Sequence, residues 1–324
     1  MKRHKICKII FAILAVFLCV AFYELIGICI TYKKQPAVSD ATIKETQNIM
    51  SVAGKENTER AVIIEKNSQA LLERVRLIQN AKDEIILSTF AFKSDESGKL
   101  ILGALHDAAD RGVHVRILVD GMESWIDMEG NPYFYGLSSH ENVEIKLYNK
   151  ANPLKPWKTM GRMHDKYLIA DGKIYILGGR NTYNYFLGDF PGHKNFDRDV
   201  LVVCDEPQKD NSVNQLWNYF ETIWEQEDCR YFHNSKKLAD RQSVKKAVLE
   251  LQEGYQQYFE VNKEKICDTD YADETFETEK ITLLSNPIHT QAKEPVVWYQ
   301  LGELMKNAKE RVKIHTPYII CNDM

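Results

Sequence analysis

Residues 161–181 read GRMHDKYLIADGKIYILGGRN, and they tie this part of the chain to a β-hairpin. Asp171-Gly172 suits a two-residue hairpin turn, whose central positions take positive φ. The runs on either side, Met163 to Ala170 and Lys173 to Leu177, are rich in strand-forming residues. Alternate residues of a strand share a face, so His164 and Lys166 are expected to point the same way. With Ala170 paired to Lys173, the register sets Gly179 opposite His164. A glycine there leaves room for a phosphate to approach the backbone. Asn181 follows at the mouth of the hairpin.

Around this hairpin, strand-like and helix-like stretches alternate. Val62 to Ile64, Glu84 to Phe92, Val113 to Val119, Val143 to Tyr148 and Val200 to Cys204 read as strands. Ser68 to Ala81, with Leu71, Val75 and Ile78 on one face, reads as a helix. So do Lys99 to Arg111, ended by Gly112, and Ser212 to Glu225, whose Trp217, Phe220 and Trp224 are assigned to the core. The alternation predicts an α/β sandwich of a mainly parallel sheet flanked by helices. A partial repeat follows. AKDEIILSTFAF at 81–92 returns as AKERVKIHTPYI at 308–319. In both places a helix-like stretch precedes it (here Val296 to Asn307), and an apolar strand precedes that helix (here Ile281 to Leu284). The expected organisation is a membrane anchor over 1–34, a polar tether over 35–60 with one short helix, and a first complete domain over 61–229. A charged helical linker over 230–280 and the start of a second copy over 281–324 complete it.

Within the hairpin, His164-x-Lys166-x4-Asp171-x6-Gly178-Gly179-x-Asn181 fixes six residues at fixed spacing. Chance would give this at roughly one in ten million start positions at ordinary residue frequencies, so the pattern carries information. The residue types suit a phosphodiester. Histidine, with an ordinary pKa of ~6.5, serves as nucleophile or acid near neutrality. Lys166 offers a point charge to a phosphate oxygen, and Asn181 offers a second donor. This motif resembles the signature of the phospholipase D superfamily. With TFAF, VRILVDG and NPIHT…KEP…TPYI, the chain looks like bacterial cardiolipin synthase-type members. The resemblance implies catalytic roles for His164, Lys166, Asp171 and Asn181, and a phosphate site from Lys166, Gly178, Gly179 and Asn181. It also implies an acid about thirty positions on to orient the imidazole. Asn195-Phe-Asp197-Arg-Asp199 stands there, with Asp197 favoured, Asp199 second, and a plain salt bridge from Asp197 to Arg198 as the rival reading.

The family further implies a phosphohistidine intermediate, a phospholipid substrate such as phosphatidylglycerol, and no metal or other cofactor. Its members bring two such motifs together at one site. This chain carries only one, so a second half is the expected missing partner, in cis or from another protomer, and little activity is expected from the chain alone. A homodimeric single-motif phosphodiesterase or nuclease and an inactive truncated membrane protein are the alternatives. The net charge of −4 gives no global basic footprint, so nucleic acid is not an expected partner. The seven cysteines show no metal-ligand spacing.

Lys2, Arg3, Lys5 and Lys8 precede an apolar stretch from Ile9 to Tyr32 that only Glu24 interrupts. It is long enough to cross ~30 Å of hydrocarbon. The expectation is an uncleaved single-pass anchor in the cell membrane, with its N-terminus in the cytoplasm. The intact chain should therefore stay with membranes through high-salt and carbonate washing, followed by immunoblot. Release of the domain into the soluble fraction would point to a cleaved signal peptide.

Overall fold

A computed structural model describes residues 2–51, 58–152, 154–314 and 316. In chain order its elements are α1 (Lys2–Tyr32), α2 (Asp40–Ser51), β1 (Arg60–Ile64), α3 (Asn67–Asn80), β2 (Glu84–Thr89), α4 (Glu96–Asp110), β3 (His114–Asp120), α5 (Gly121–Asp127) and α6 (Pro132–Ser138). There follow β4 (Val143–Tyr148), β5 (Lys166–Ala170), β6 (Ile174–Gly178), β7 (Asp199–Val203), α7 (Ser212–Trp224), β8 (Cys229–Tyr231), α8 (Gln242–Cys267), β9 (Phe276–Glu277) and α9 (Val296–Lys306). Among the described residues the strands form one sheet in the order β8-β4-β3-β2-β5-β6-β7-β1-β9.

The α/β sandwich is as expected, a sheet between helices, but the sheet is mixed and not mainly parallel. Only β2–β3 and β3–β4 are parallel neighbours. All other neighbouring pairs are antiparallel. Following the pairings shows that β1 to β4 do run the same way, as strand–helix–strand alternation requires. However, β5, β6 and β7 are inserted between β1 and β2. Alternation specifies direction and layering, whereas neighbour order depends on which strand edges meet.

Side chains alternate across the sheet. Ile85, Leu87, Val115, Ile117 and Val119 face a core shared with α3, α4, α6 and α8. Ile86, Leu118, Tyr167 and Ile169 face α7, where Phe220 and Trp224 are buried as the aromatic spacing suggested. α8 corrects the expected linker over 230–280. It buries Val244, Ala247, Leu251, Tyr255 and Ile266. It also crosses α4 so closely that a Cβ on Gly103 would lie 2.6 Å from the Leu251 carbonyl oxygen. Its charged residues are the outer face of an amphipathic helix. β9 then pairs with β1, so this segment completes the first domain's sheet and helical layer.

Within the expected tether, α2 forms and residues 52–57 lie outside the described residues. Of the expected second copy, α9 is present, but Ile281 to Leu284 is not a strand. That stretch lies on the α7 face, where Ile281 and Leu283 pack on the second core and the Leu283 amide donates to Gln215 Oε1 at 2.8 Å. Residues 308–314 are not in a strand either, and residues 315 and 317–324 lie outside the described residues.

At the end of β7, Asp199 is buried and its Oδ2 accepts an ion pair from Arg74 at 3.0 Å and another from Arg180 at 3.3 Å. All three side chains are nearly solvent-free. Neutralising the carboxylate would leave two buried guanidinium groups without their counter-ion. Asp199→Asn is expected to cost roughly 3–5 kcal/mol of stability, or to prevent folding, as read by urea unfolding. A change below about 1 kcal/mol would show that water compensates the arginines.

Candidate active site

The ends of four strands converge on His164. It stands just before β5, solvent-exposed, rather than within the strand. Its ring packs against Phe90, which follows β2, with centroids 4.5 Å apart. Lys166, the first residue of β5, is buried, and its Nζ lies 3.1 Å from His164 Nδ1 and 2.7 Å from the His164 carbonyl oxygen. The Phe90 ring also receives Lys166 Nζ at 5.3 Å and the Arg162 guanidinium at 5.5 Å from its centroid, within cation–π range. Asp120, buried at the end of β3, ion-pairs with Arg162 and accepts the Met163 amide at 3.2 Å. It thereby fixes the approach to His164.

Burial lowers the Lys166 pKa to about 8, with Asp165 and Asp197 partly opposing it. Burial also lowers that of His164, assisted by the positive Lys166 and Arg162 and opposed by Asp120. The imidazole is therefore largely neutral near neutrality while Lys166 still carries its charge. A charged lysine can only donate, so His164 Nδ1 accepts and Nε2 holds the proton. In this arrangement His164 can protonate a leaving oxygen from Nε2 as Lys166 passes a proton to Nδ1, so that the ring stays neutral and the charge is lost from the lysine. Attack through Nε2 requires Nδ1 to leave Lys166 and carry its proton towards a carboxylate.

The expected carboxylate contact is not formed. His164 Nδ1 faces Lys166, and among the described residues no hydrogen bond joins His164 to Asp197. Asp197 is nonetheless close to the site: its Oδ2 occupies the space a Cβ on Gly179 would fill, 2.1 Å away, and it acts electrostatically on Lys166. Its Oδ1 accepts the Arg198 amide at 2.8 Å, whereas the Arg198 side chain reaches Glu65 at 3.0 Å, so the Asp197–Arg198 salt bridge is not the arrangement found. Asp199 is committed to Arg74 and Arg180.

The glycines serve these acids. A Cβ on Gly178 would meet Asp199 Oδ1 at 2.0 Å. The two glycines thus admit carboxylates from the neighbouring strand, where an open path for phosphate was expected. The register also differs by one. Ala170 pairs with Ile174, not Lys173, because Lys173 follows the turn as an extra residue whose carbonyl accepts the Cys204 amide. The expected placement of Gly179 opposite His164 is therefore not formed, and on its other side Gly178 pairs with Asp199 of β7.

Asp171 is not brought to the site. It occupies the turn at the far end of β5, about 17 Å along the strand from Lys166. There its carboxylate accepts the backbone amides of Lys82, Asp83 and Glu84 at 2.8–3.2 Å. Its fixed place in the motif reflects this fastening of the hairpin to the start of β2. Asn181 lies beside the Phe90 segment: buried, with Oδ1 accepting the Ala91 amide at 3.2 Å, it leaves its Nδ2 protons without a protein acceptor among the described residues.

A cleft of about 390 Å³ opens on these groups. His164, Lys166, Arg162 and Lys293 line its polar part, and Leu283, Leu284, Ile288 and Val297 its apolar part. Asp165 is also in it, accepting the Tyr219 hydroxyl at 2.8 Å. Burial raises its pKa, with that hydrogen bond, Lys166 and Lys293 opposing. Sequence reasoning missed Phe90, Asp120, Arg162, Asp165 and Lys293 as site residues. Asp120 had a local signal, an acid closing an apolar strand before a glycine. Lys293 had none, because only the return of residues 281–297 across the sheet brings it in.

Residues 75–224 match the family model described as cardiolipin synthase, PLD-like domain. An uncharacterized protein of Helicobacter pylori (strain ATCC 700392 / 26695) is 27% identical over 82% of this chain and 55% of its own length. Cardiolipin synthase C of Escherichia coli (strain K12) is 29% identical over 43% of this chain and 31% of its own. With the spaced His164, Lys166 and Asp171, these matches decide the family. Residues 75–224 are a domain of the phospholipase D superfamily, of the cardiolipin synthase-like kind. The chain spans about half or less of the length of these relatives. NucT from Helicobacter pylori, a solved structure, overlays on 54% of this chain and 99% of its own with 17% identity and a TM-score of 0.41.

For a phosphodiester turned over at this cleft, the two shifts predict a pH profile. Lys166 binds phosphate only while protonated, so kcat/KM should fall as pH rises through about 8. The limb set by His164 should lie below the ordinary ~6.5. Lys166→Arg should lower the rate but remove the alkaline limb, since a guanidinium stays charged. An alkaline limb unmoved by that substitution would assign it to another group.

Proposed function

We propose that the chain is the motif-bearing part of a membrane-anchored phosphatidyltransferase of cardiolipin synthase type. The observation that carries this reading is the composition of the His164 cleft. Cations that suit a phosphodiester stand beside an apolar wall that suits acyl chains or a glycerol backbone. α1 supports it, being long and apolar enough to cross a membrane and thus to hold the cleft beside lipid.

In the reaction, an imidazole nitrogen forms a bond to phosphorus and the bond from phosphorus to the headgroup alcohol breaks. A second proton-bearing group, on the far side of phosphorus, protonates the departing oxygen. Lys166 and Asn181 Nδ2 hold the non-bridging oxygens. A lipid-borne alcohol or water then takes the phosphatidyl group from His164. As His164 stands, the acid role needs Lys166 to reprotonate Nδ1, and for the nucleophile role we assign Asp197, which acts on Lys166, to take Nδ1 once Lys166 turns to phosphate. A homodimeric phosphodiesterase remains the second reading, favoured by the single motif in the sequence.

The test is the turnover of phosphatidylglycerol vesicles, followed by chromatography of the lipid products, with the chain supplied with a half bearing a second motif. His164→Asn should lower turnover by at least ~10²-fold, and Asp197→Asn by roughly 10–100-fold with folding retained. Unchanged turnover in His164→Asn would remove the reading. His164-dependent turnover of the chain without any second half, rising steeply with protein concentration, would favour the homodimer.

A further inference from the structure

Four large apolar side chains on the two segments that lead to Arg162 and His164 are left in solvent: Trp125 at 62% and Ile126 at 68% exposure on α5, and Leu154 at 76% and Met160 at 58% in the connection that runs from β4 to His164. The two segments are neighbours. Gly121, which begins α5, touches the Lys150 backbone so closely that a Cβ would lie 2.6 Å from it, and Arg162 ties to Asp120. Lys150 and Lys155 stand exposed in the same connection. Apolar side chains interleaved with lysines are the composition of a surface that enters an anionic lipid interface.

α1 indicates what covers this surface. Its C-terminal third lies along the domain: Tyr23 Oη reaches the Leu154 carbonyl oxygen, Glu24 accepts the Thr159 hydroxyl, and Tyr32 Oη donates to the Thr290 carbonyl oxygen at 3.0 Å. The apolar part free of such contacts, from Ile9 to Phe22, rises about 21 Å at ~1.5 Å per residue, and the long side chains of Lys5 and Lys8 can reach the far interface from the turn that precedes it. If that part spans, the membrane boundary falls at Tyr23 and Glu24. A tyrosine suits that depth, and the one carboxylate of the apolar stretch emerges there. The boundary is also where α1 meets the Leu154–Thr159 stretch.

We propose that the 150–160 connection and α5 form a second membrane contact, in which Leu154, Met160, Trp125 and Ile126 insert into the leaflet at which α1 emerges. The His164 cleft then opens onto the lipid headgroups and not into bulk water. A diester would reach Lys166 by lateral movement within the leaflet. This deepens the proposed function and rests on its reading of α1 as a membrane anchor.

The experiment uses the full chain in vesicles of phosphatidylglycerol and phosphatidylcholine in equal parts, with p-benzoylphenylalanine placed singly at Ile126, Leu154 or Leu249. Leu249, on α8, is 58% exposed and serves as the control. Irradiation followed by mass spectrometry should give lipid adducts at 126 and 154 about tenfold above those at 249. As a measurement on the natural side chain, brominated phospholipid should quench a component of tryptophan fluorescence that Trp125→Phe lacks. Adducts no more frequent at 126 and 154 than at 249, with quenching the same in Trp125→Phe, would overturn the proposal. Adducts at 126 and 154 without His164-dependent turnover when a half bearing a second motif is also supplied would support the surface while removing the enzymatic reading. Turnover without adducts would do the reverse.

Discussion

The buried guanidinium of Arg180 joins the parts of the site. It is fully enclosed, pairs with Asp199, and donates to the carbonyl oxygens of Ile64, Glu65 and Asp197 and to Asn67 Oδ1. Those partners belong to the β1–α3 junction and to the segment entering β7. One side chain therefore locks β1, the start of α3 and the acid-bearing loop onto the end of the motif hairpin. Arg74 adds the second cation that Asp199 needs, since a carboxylate facing two guanidinium groups in the interior is held only while all three remain. With these groups in place, Gly178 and Gly179 can sit against carboxylates with no side chain of their own between.

The catalytic geometry follows from this frame. Because β6 ends against Asp199, the chain turns at Gly179 and delivers Asn181 beneath Ala91. The segment that holds Phe90 is thereby braced, and Phe90 in turn supports His164, Lys166 and Arg162. On the other side, Asp120 holds Arg162 and the Met163 amide. His164 is exposed, yet its neighbours are fixed by buried groups. That combination suits a nucleophile or acid that must meet a bulky substrate without losing its orientation.

The low proton affinities of Lys166 and His164 have a common origin in desolvation, with their mutual repulsion adding to it at His164. The site thus stores a charge at Lys166 that a bound phosphate would neutralise, so substrate binding and proton placement on the imidazole are coupled. Lys293 is depressed by the same burial, with Asp165 opposing. It extends the positive wall of the cleft towards the apolar side chains of residues 283–297.

The motif, its hairpin, the layered α/β architecture and the apolar N-terminal helix were all legible in the chain, because each depends on local spacing: period two for a strand, about three and a half for a helix, and an Asp-Gly pair for the turn. Tertiary structure decided matters that depend on which distant surfaces meet. It inserted three strands between β1 and β2, making the sheet mixed, and it turned α8 from an apparent linker into core, since charge on an outer face hides an apolar inner one. It moved Asp171 out of the reaction, because three backbone amides before β2 need an acceptor at the turn. It assigned the glycine pair to carboxylates, because β7 pairs with β6 so that Asp199 lies opposite Gly178. Lys293 entered the cleft by a chain path that no local pattern encodes. Residue type and spacing specify which chemistry can occur; long-range packing specifies which of those residues reach the same atom.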